Sequence, residues 1–171
     1  MRGKRSDVPA RSIDLAATRT VGWSEPDREA LASVVRTLRP SPRHLTDILD
    51  WIEDIVIRDG GTPGDVLAQP TLTASLGGGS APDRLKRWKT RLKRLRFPRL
   101  AAREAVIGER IRALGFGAAI GVVPPADLEG GELTFDIRAR SAEDLEAALL
   151  RLRERVADGS IAALFALLDE A

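Results

Sequence analysis

Ten basic side chains and no acid occur in one segment, Arg84 to Arg103, which reads RLKRWKTRLKRLRFPRLAAR. The rest of the chain carries 17 basic and 25 acidic residues, so the net charge of +2 hides a strong separation of charge. Ammonium and guanidinium groups bind phosphate oxygens and displace the counterions of a polyanion. Such a block meets either a polyanion or an acidic face of its own protein. The sequence therefore predicts a binding role.

The apolar residues of this segment repeat at steps of three, four and three, as in an amphipathic helix. They are Leu85, Trp88, Leu92 and Leu95. Pro82 suits the first turn of this basic helix, and Pro98 predicts its end near Arg96. We expect nucleic acid to bind nine basic residues around and after this stripe. They are Arg84, Lys86, Arg87, Lys89, Arg91, Lys93, Arg94, Arg96 and Arg99.

Residue types that perform catalysis or bind metals are scarce. His44 is the only histidine, and the absence of Cys excludes thiolate metal sites and a cysteine nucleophile. Asp47, Asp50 and Asp54 lie on neighbouring helical turns, where a solvated acidic face is a better interpretation than a cation site. The glycines at 77–79 lack the following Lys of a phosphate-binding loop. We expect no catalytic residue, no metal, no cofactor and no enzymatic activity.

Composition and periodicity divide the chain into four parts. They are a mobile basic arm at 1–22, a helical region at 23–76, a flexible linker at 77–81, and a unit at 82–171 that joins the basic helix to a helix–hairpin–helix domain. Within the helical region we expect helices from Ser24 to Leu38 and from Pro42 to Arg58. The helix from Pro42 to Arg58 bears the acidic residues. The linker would let the basic helix turn back and lie antiparallel to it.

The apolar pattern changes from helical to alternating after about residue 117. Ile120 and Val122 form one face of a first strand, and after a wide turn Leu133, Phe135 and Ile137 form one face of a second. The fold class is therefore α+β, mostly helical, with one hairpin per chain.

Ser141 resembles the start of a capping box and predicts a helix after the hairpin. We expect four apolar residues of this helix to face inward, namely Leu145, Leu149, Leu152 and Val156. A last helix begins at Ser160 and closes the predicted fold.

The order of parts from about Arg103 to Arg153 resembles the C-terminal dimerisation domain of the ParB/Spo0J chromosome-partition family. The matching segments are ERIRALG, AAIGVV, GGELTFDIRARS and SAEDLEAALLRL. The resemblance implies a homodimer in which two hairpins join into one four-stranded sheet. Such pairing would also remove an open strand edge from a marginal hairpin. The expected interface residues are Ile120, Val122, Leu133, Phe135, Ile137, Leu145 and Leu149.

In that family the hairpin is rich in lysine and touches DNA without reading its sequence. Here the first strand carries no charge, and the second offers only Arg138 and Arg140. The basic helix would therefore have to supply the phosphate contacts.

Two functions are consistent with these patterns. The first is a non-enzymatic, DNA-associated homodimer whose basic helix binds the phosphate backbone with tolerance for sequence. The alternative is a protein–protein adaptor in which the helix bearing Asp47, Asp50, Glu53 and Asp54 neutralises the basic helix. The two differ in whether the basic face is open or covered.

The expected surroundings of the protein follow from composition. No apolar run is long enough to cross a membrane, so we expect no membrane partner. The abundance of Ala, Arg, Gly and Leu is typical of GC-rich bacterial genomes. We expect a cytoplasmic protein, associated with the nucleoid if it binds DNA.

Overall fold

Nine α-helices and one β-hairpin form the part of the chain that the computed structural model describes, residues 9–169. The predicted fold class, α+β and mostly helical, is therefore confirmed. The helices are α1 Ala10–Arg19, α2 Glu25–Leu38, α3 Pro42–Asp59, α4 Pro63–Leu67, α5 Pro70–Thr73, α6 Ala81–Arg96, α7 Pro98–Ala113, α8 Ala142–Ala157 and α9 Ser160–Asp169. The strands are β1 Ile120–Val123 and β2 Thr134–Ile137. Within residues 9–169, none of the helices combines the length and the apolar character needed to span a membrane.

The chain divides into two units, of which the first ends at Phe97 and the second begins at Pro98. This division differs from the expected linker at 77–81, because the basic helix α6 belongs to the first unit. Trp88 and Leu92 of α6 are 0% exposed in the core of that unit. Burial of these two side chains ties α6 to the helices that precede it.

Serine and threonine caps begin four helices of the first unit. They are Ser24, Ser41, Thr62 and Ser80. Each side chain accepts a hydrogen bond from the backbone N–H three residues later, and a proline follows within the first two helical positions. The hydroxyl satisfies an amide that the helix leaves free, and proline gives up no hydrogen bond there.

The core of the first unit lies among the apolar faces of α2, α3 and α6, with α4 and α5 closing it. Its least exposed aliphatic residues include Leu38, Leu45, Leu49, Ile52 and Leu72. Full burial of a Leu or Ile side chain stabilises a fold by about 1.5–3 kcal/mol relative to exposure.

Residues 10–19 form α1, where we expected part of a mobile arm. Leu15 and Ala16 pack against the core, and the buried Ser12 hydroxyl donates a hydrogen bond to the Pro40 carbonyl oxygen at 2.9 Å. These contacts order the segment, and local sequence does not reveal them. Residues 1–8 of the expected arm lie outside the described residues.

The glycines at 77–79 form a structured turn in place of the expected flexible linker. Gly78 and Gly79 have φ values of 65° and 75°, a left-handed conformation that favours glycine. Arg87 donates to the carbonyl oxygens of Gly77 and Gly78 at 2.8 and 2.7 Å, and Arg84 donates to that of Gly79 at 2.7 Å. The basic helix therefore holds the turn that leads into it.

The second unit contains the hairpin and the helices α7, α8 and α9. The strands pair antiparallel, with Ile120 opposite Ile137 and Val122 opposite Phe135, so these four residues share one face as predicted. The core beneath includes Ile107, Leu114, Phe116, Ile161 and Leu164. A 3-10 turn at Ala126–Leu128, within the long connection, adds the buried Leu128 to this core.

The apolar stripe of α8 is largely exposed, whereas we expected it to face inward. Leu145, Leu149 and Val156 are 42%, 48% and 59% exposed. Only Leu152 of the stripe packs against the core, beside the buried Ala148. The helix touches its unit along the Ala148 side, and the predicted stripe lies at the border of that contact.

The buried residue Asp27 joins α2 to α4 through hydrogen bonds. Its Oδ1 accepts from the Gly64 N–H at 2.8 Å, and its Oδ2 accepts from the Ser24 hydroxyl at 2.6 Å. The hydrogen bond from Ser24, followed by that from Gly64, holds the pKa of Asp27 below its ordinary value. A Cβ on Gly64 would lie 2.6 Å from Oδ1, so any larger residue there would have to displace the Asp27 carboxylate from its present position.

We predict that Asp27→Ala lowers the free energy of unfolding by about 1–3 kcal/mol at neutral pH, because it leaves the Gly64 N–H without an acceptor. The pKa of Asp27 is lowered in the folded state, so its carboxylate stabilises the fold above the ordinary value of 3.8, and this stabilisation is lost as the pH falls below it. Urea unfolding across a pH series should show that the difference in the free energy of unfolding between wild type and variant becomes smaller in acid. Asp14→Ala, at an exposed site on α1, is the control; equal effects at neutral pH would contradict the assignment.

Candidate nucleic-acid interface

The helix α6 positions eight of the nine predicted nucleic-acid-binding residues. Its buried Trp88 and Leu92, with Leu85 and Leu95 packed beside them, turn the predicted stripe toward the core of the first unit. The long basic side chains therefore occupy the flanks and the outer surface of the helix. The ninth residue, Arg99, is exposed on α7 in the second unit.

One flank of α6 is neutralised by the acidic helix α3. The Lys89 ammonium lies 2.6 Å from Asp47 Oδ2, and the Arg96 guanidinium lies 2.6 Å from Asp54 Oδ2. The hydrogen bond from Lys89 holds the pKa of Asp47 below its ordinary value. Within residues 9–169, Lys89 and Arg96 of the predicted set are thus paired with acids of their own unit.

These ion pairs show that α3 and α6 run parallel, and the antiparallel arrangement that we expected is wrong. The partner of Asp47 precedes the partner of Asp54 along α6, so both helices advance in the same direction. The segment from α4 to the glycine turn returns the chain to the starting end of α3. Arg58, in the last turn of α3, donates to the carbonyl oxygens of Leu95 and Arg96 and so caps the end of α6.

The acidic face of α3 is shared between two neighbours. Asp50 and Glu53 accept hydrogen bonds from Arg19 of α1 at 2.8 and 3.0 Å, and neither forms an ion pair with α6 among the described residues. In the same part of the chain, only Asp47 and Asp54 of the predicted acidic set reach the basic helix. The acidic helix therefore covers one flank of α6 and forms no described ion pair with the exposed cations of its outer surface.

The outer surface of α6 carries four exposed cations, which we call the open basic face. They are Lys86, Arg87, Arg91 and Arg94. Arg87 is partly engaged by the glycine carbonyls, whereas Arg91 and Arg94 form no ion pair or hydrogen bond within residues 9–169. Arg87, Arg91 and Arg94 follow one another at steps of four and three, so they form one row along the helix.

Arg84 contributes hydrogen bonds to the fold near the N-terminus of α6. Besides its bond to Gly79, it donates to the Thr37 carbonyl oxygen at 3.2 Å and links α6 to the end of α2. This half-buried side chain is therefore poorly placed for phosphate, although the sequence placed it in the binding set.

A groove beside the open basic face is lined in part by residues outside the predicted binding set. Trp51, Pro82 and Leu85 give it an apolar surface, and its volume is about 410 Å³. Lys86 and Lys89 lie along it, and the Lys89 ammonium is 5.0 Å from the centre of the Trp51 ring. Trp51 lies four residues after Asp47, and that helical spacing was the available signal that it faces α6.

The predicted dimer-interface residues occupy two environments in the second unit. Ile120 is buried, and four more pack partly buried against the same core: Val122, Leu133, Phe135 and Ile137. Leu145 and Leu149 are exposed, as described above. The hairpin has only two strands, so each strand has one outer edge without a strand partner in the described chain.

Comparisons with protein-family models, with curated proteins and with solved structures give no match to this chain. Among the described residues, no group of three or more His, Asp or Glu side chains is arranged to hold a metal ion.

We predict that Asp47→Lys lowers the free energy of unfolding by about 1 kcal/mol, because it replaces a partly exposed ion pair with like charges. The loss should shrink in about 1 M salt, which screens such charges beyond roughly 3 Å. Chemical denaturation measures both effects.

The matched control is Asp14→Lys, at an exposed acid of the same unit that forms no ion pair within the described residues. Adding Lys89→Asp to Asp47→Lys should restore part of the stability, because the pair then has opposite charges again. If Asp47→Lys is no more destabilising than the control, the neutralised flank is refuted.

Proposed function

We propose that this protein is a non-enzymatic, DNA-associated protein whose open basic face binds the phosphate backbone. The observation that carries the proposal is the exposure of Arg91 and Arg94 beside Lys86 and Arg87, away from the acids of α3. Guanidinium groups pair well with phosphate, and a helical row presents them at regular steps along one surface. Such contacts position a protein on DNA without reading bases.

The size of the open basic face sets the expected strength of binding. About four phosphate contacts per copy would give a salt dependence of roughly −3.6 in log K against log salt. Affinity would then fall about a hundredfold between roughly 50 and 200 mM salt. One copy would bind weakly at physiological salt, so a second copy on the same DNA matters for function.

We further propose that the second unit joins two copies of the chain. The exposed stripe of Leu145, Leu149 and Val156 is apolar and has the spacing of a helix-pairing face. The open edges of the two-stranded sheet offer backbone groups to another strand. The resemblance to the ParB dimerisation domain agrees with this proposal, and a two-fold arrangement would cover both features.

The adaptor hypothesis is supported by the ion pairs of Lys89 with Asp47 and of Arg96 with Asp54. These pairs neutralise part of α6 within the protein itself. In that function the four cations of the open basic face would bind an acidic protein surface instead of DNA. The hypothesis becomes the better one if the purified protein shows no salt-sensitive binding to duplex DNA.

We predict that Arg91→Glu combined with Arg94→Glu weakens binding to unrelated duplexes by similar factors, because phosphate contacts are independent of sequence. Loss of two contacts should reduce the salt slope by about 2. Fluorescence anisotropy over a salt series measures both quantities. Arg87 is left unchanged because it also holds the glycine turn.

The matched control is Arg110→Glu with Arg153→Glu, which changes the net charge equally at two exposed sites of the second unit. It should lower affinity much less than the α6 variant. An equal loss of affinity in both double variants would mean that overall charge, and not the open basic face, governs binding.

We predict that wild-type protein is a dimer and that Leu145→Glu with Leu149→Glu makes it monomeric, because charges on a helix-pairing face oppose its burial. Both leucines are exposed in the single chain, so circular dichroism and the melting temperature of the dissociated unit should change little. Sedimentation velocity measures the mass. Ala163→Glu with Ala166→Glu on exposed sites of α9 is the control and should remain dimeric; a monomeric wild type at tens of micromolar would end the proposal.

A further inference from the structure

We infer that the groove beside Trp51 binds a base of single-stranded nucleic acid while the open basic face holds the phosphates of the same strand. This inference rests on the proposed function, and it names the form of nucleic acid that the site prefers. The groove and the open basic face share one helix, α6, and Lys86 belongs to both.

The apolar part of the groove suits a planar ring. Trp51, Pro82 and Leu85 line it, and Trp51 is half-buried, so its ring is fixed by the core and still accessible from outside. The volume of about 410 Å³ lies within the range of small-ligand sites. Every base has an aromatic face, so stacking on a tryptophan is tolerant of sequence.

The charges around the groove favour an anionic strand over a neutral aromatic compound. Lys89 is neutralised by Asp47, so it contributes mainly its aliphatic stem and its contact with the Trp51 ring. Lys86 is exposed and forms no ion pair within residues 9–169, so its ammonium is available to a phosphate at the rim. Its nearest acidic neighbour along the helix, Asp83, is also hydrogen-bonded to Ser80 at the cap.

The geometry of α6 explains why a strand fits better than a free nucleotide. Lys86 and Arg94 are eight residues apart, which corresponds to about 12 Å along a helix. Phosphates of one strand can therefore meet Lys86 at the rim and Arg94 further along the helix while one base turns toward the groove. A paired and stacked base of duplex DNA cannot enter without being unstacked, which costs a few kcal/mol.

The test compares a thymidine oligomer with an abasic strand of the same length, which keeps the phosphates and lacks the bases. Wild-type protein should bind the thymidine oligomer about 5-fold to 150-fold more tightly, the value of stacking one base. Trp51→Leu should remove most of that preference and leave the affinity for the abasic strand within about twofold. Trp23→Leu, at a partly buried tryptophan of the same unit that does not line the groove, is the matched control and should keep the preference.

Each outcome decides between the proposals. If wild type binds both strands equally and with salt sensitivity, the groove does not bind a base. Phosphate binding by the open basic face would then still stand. A preference that survives Trp51→Leu would also overturn the groove, because the base would then be bound elsewhere. Binding of neither strand and of no duplex would overturn this inference together with the proposed function. Thermal melts of both tryptophan variants establish that each remains folded under the assay conditions.

Discussion

Burial of Trp88 and Leu92 is the constraint on which the first unit depends. The most highly charged helix of the chain presents only a narrow apolar stripe, and these two residues of the stripe lie in the core at 0% exposure. Removing a large aromatic side chain from such a position typically costs about 3–5 kcal/mol. Because this burial fixes the rotation of α6 about its axis, it also decides which cations meet α3 and which remain in solvent. The open basic face is thus a consequence of core packing.

The chain places its acids where they limit repulsion within α6 without covering it. Asp47 and Asp54 neutralise Lys89 and Arg96 on the inner flank, where desolvation makes an unpaired charge most costly. Surface pairs of this kind contribute about 0–1 kcal/mol each, so their main effect is on orientation and register. Arg84 and Arg87 contribute differently, because they donate to the carbonyls of the glycine turn. The cations of the open basic face are mainly those that neither the core nor the turn requires.

The sequence predicted correctly the features that local periodicity determines. It did not predict the features that depend on contacts between residues far apart in the chain. The stripe Leu85–Leu95, the shared face of Ile120 and Ile137, and the helix starts at Ser24 and Ser141 all follow from local pattern, and the structure has them. The helix α1 was missed because the buried hydrogen bond of Ser12 joins residues far apart in the chain. The glycine turn looked flexible because the arginines that hold it come later in the sequence.

The site was predicted in part for the same reason. Charge and spacing identified α6, but they could not separate Lys89, which is paired with Asp47, from Arg91, which has no such partner among the described residues. Trp51 was overlooked because its relation to α6 depends on the parallel packing of two helices. The stripe of α8 was identified correctly as a stripe, yet its exposure depends on which side of the helix the unit covers.

The two units divide charge and apolar surface between them, and this division is consistent with the proposed dimer. Residues 1–97 contain 18 basic and 12 acidic residues, whereas residues 98–171 contain 9 and 13, so the unit with the open basic face holds the excess positive charge. The exposed apolar stripe lies on α8 of the other, acidic unit, which would be repelled by phosphate. A dimer formed through α8 uses none of the residues of the open basic face. If the proposed dimer forms, two such faces in one particle would raise the effective concentration of cations at a polyanion, so modest contacts on each helix would suffice for stable association.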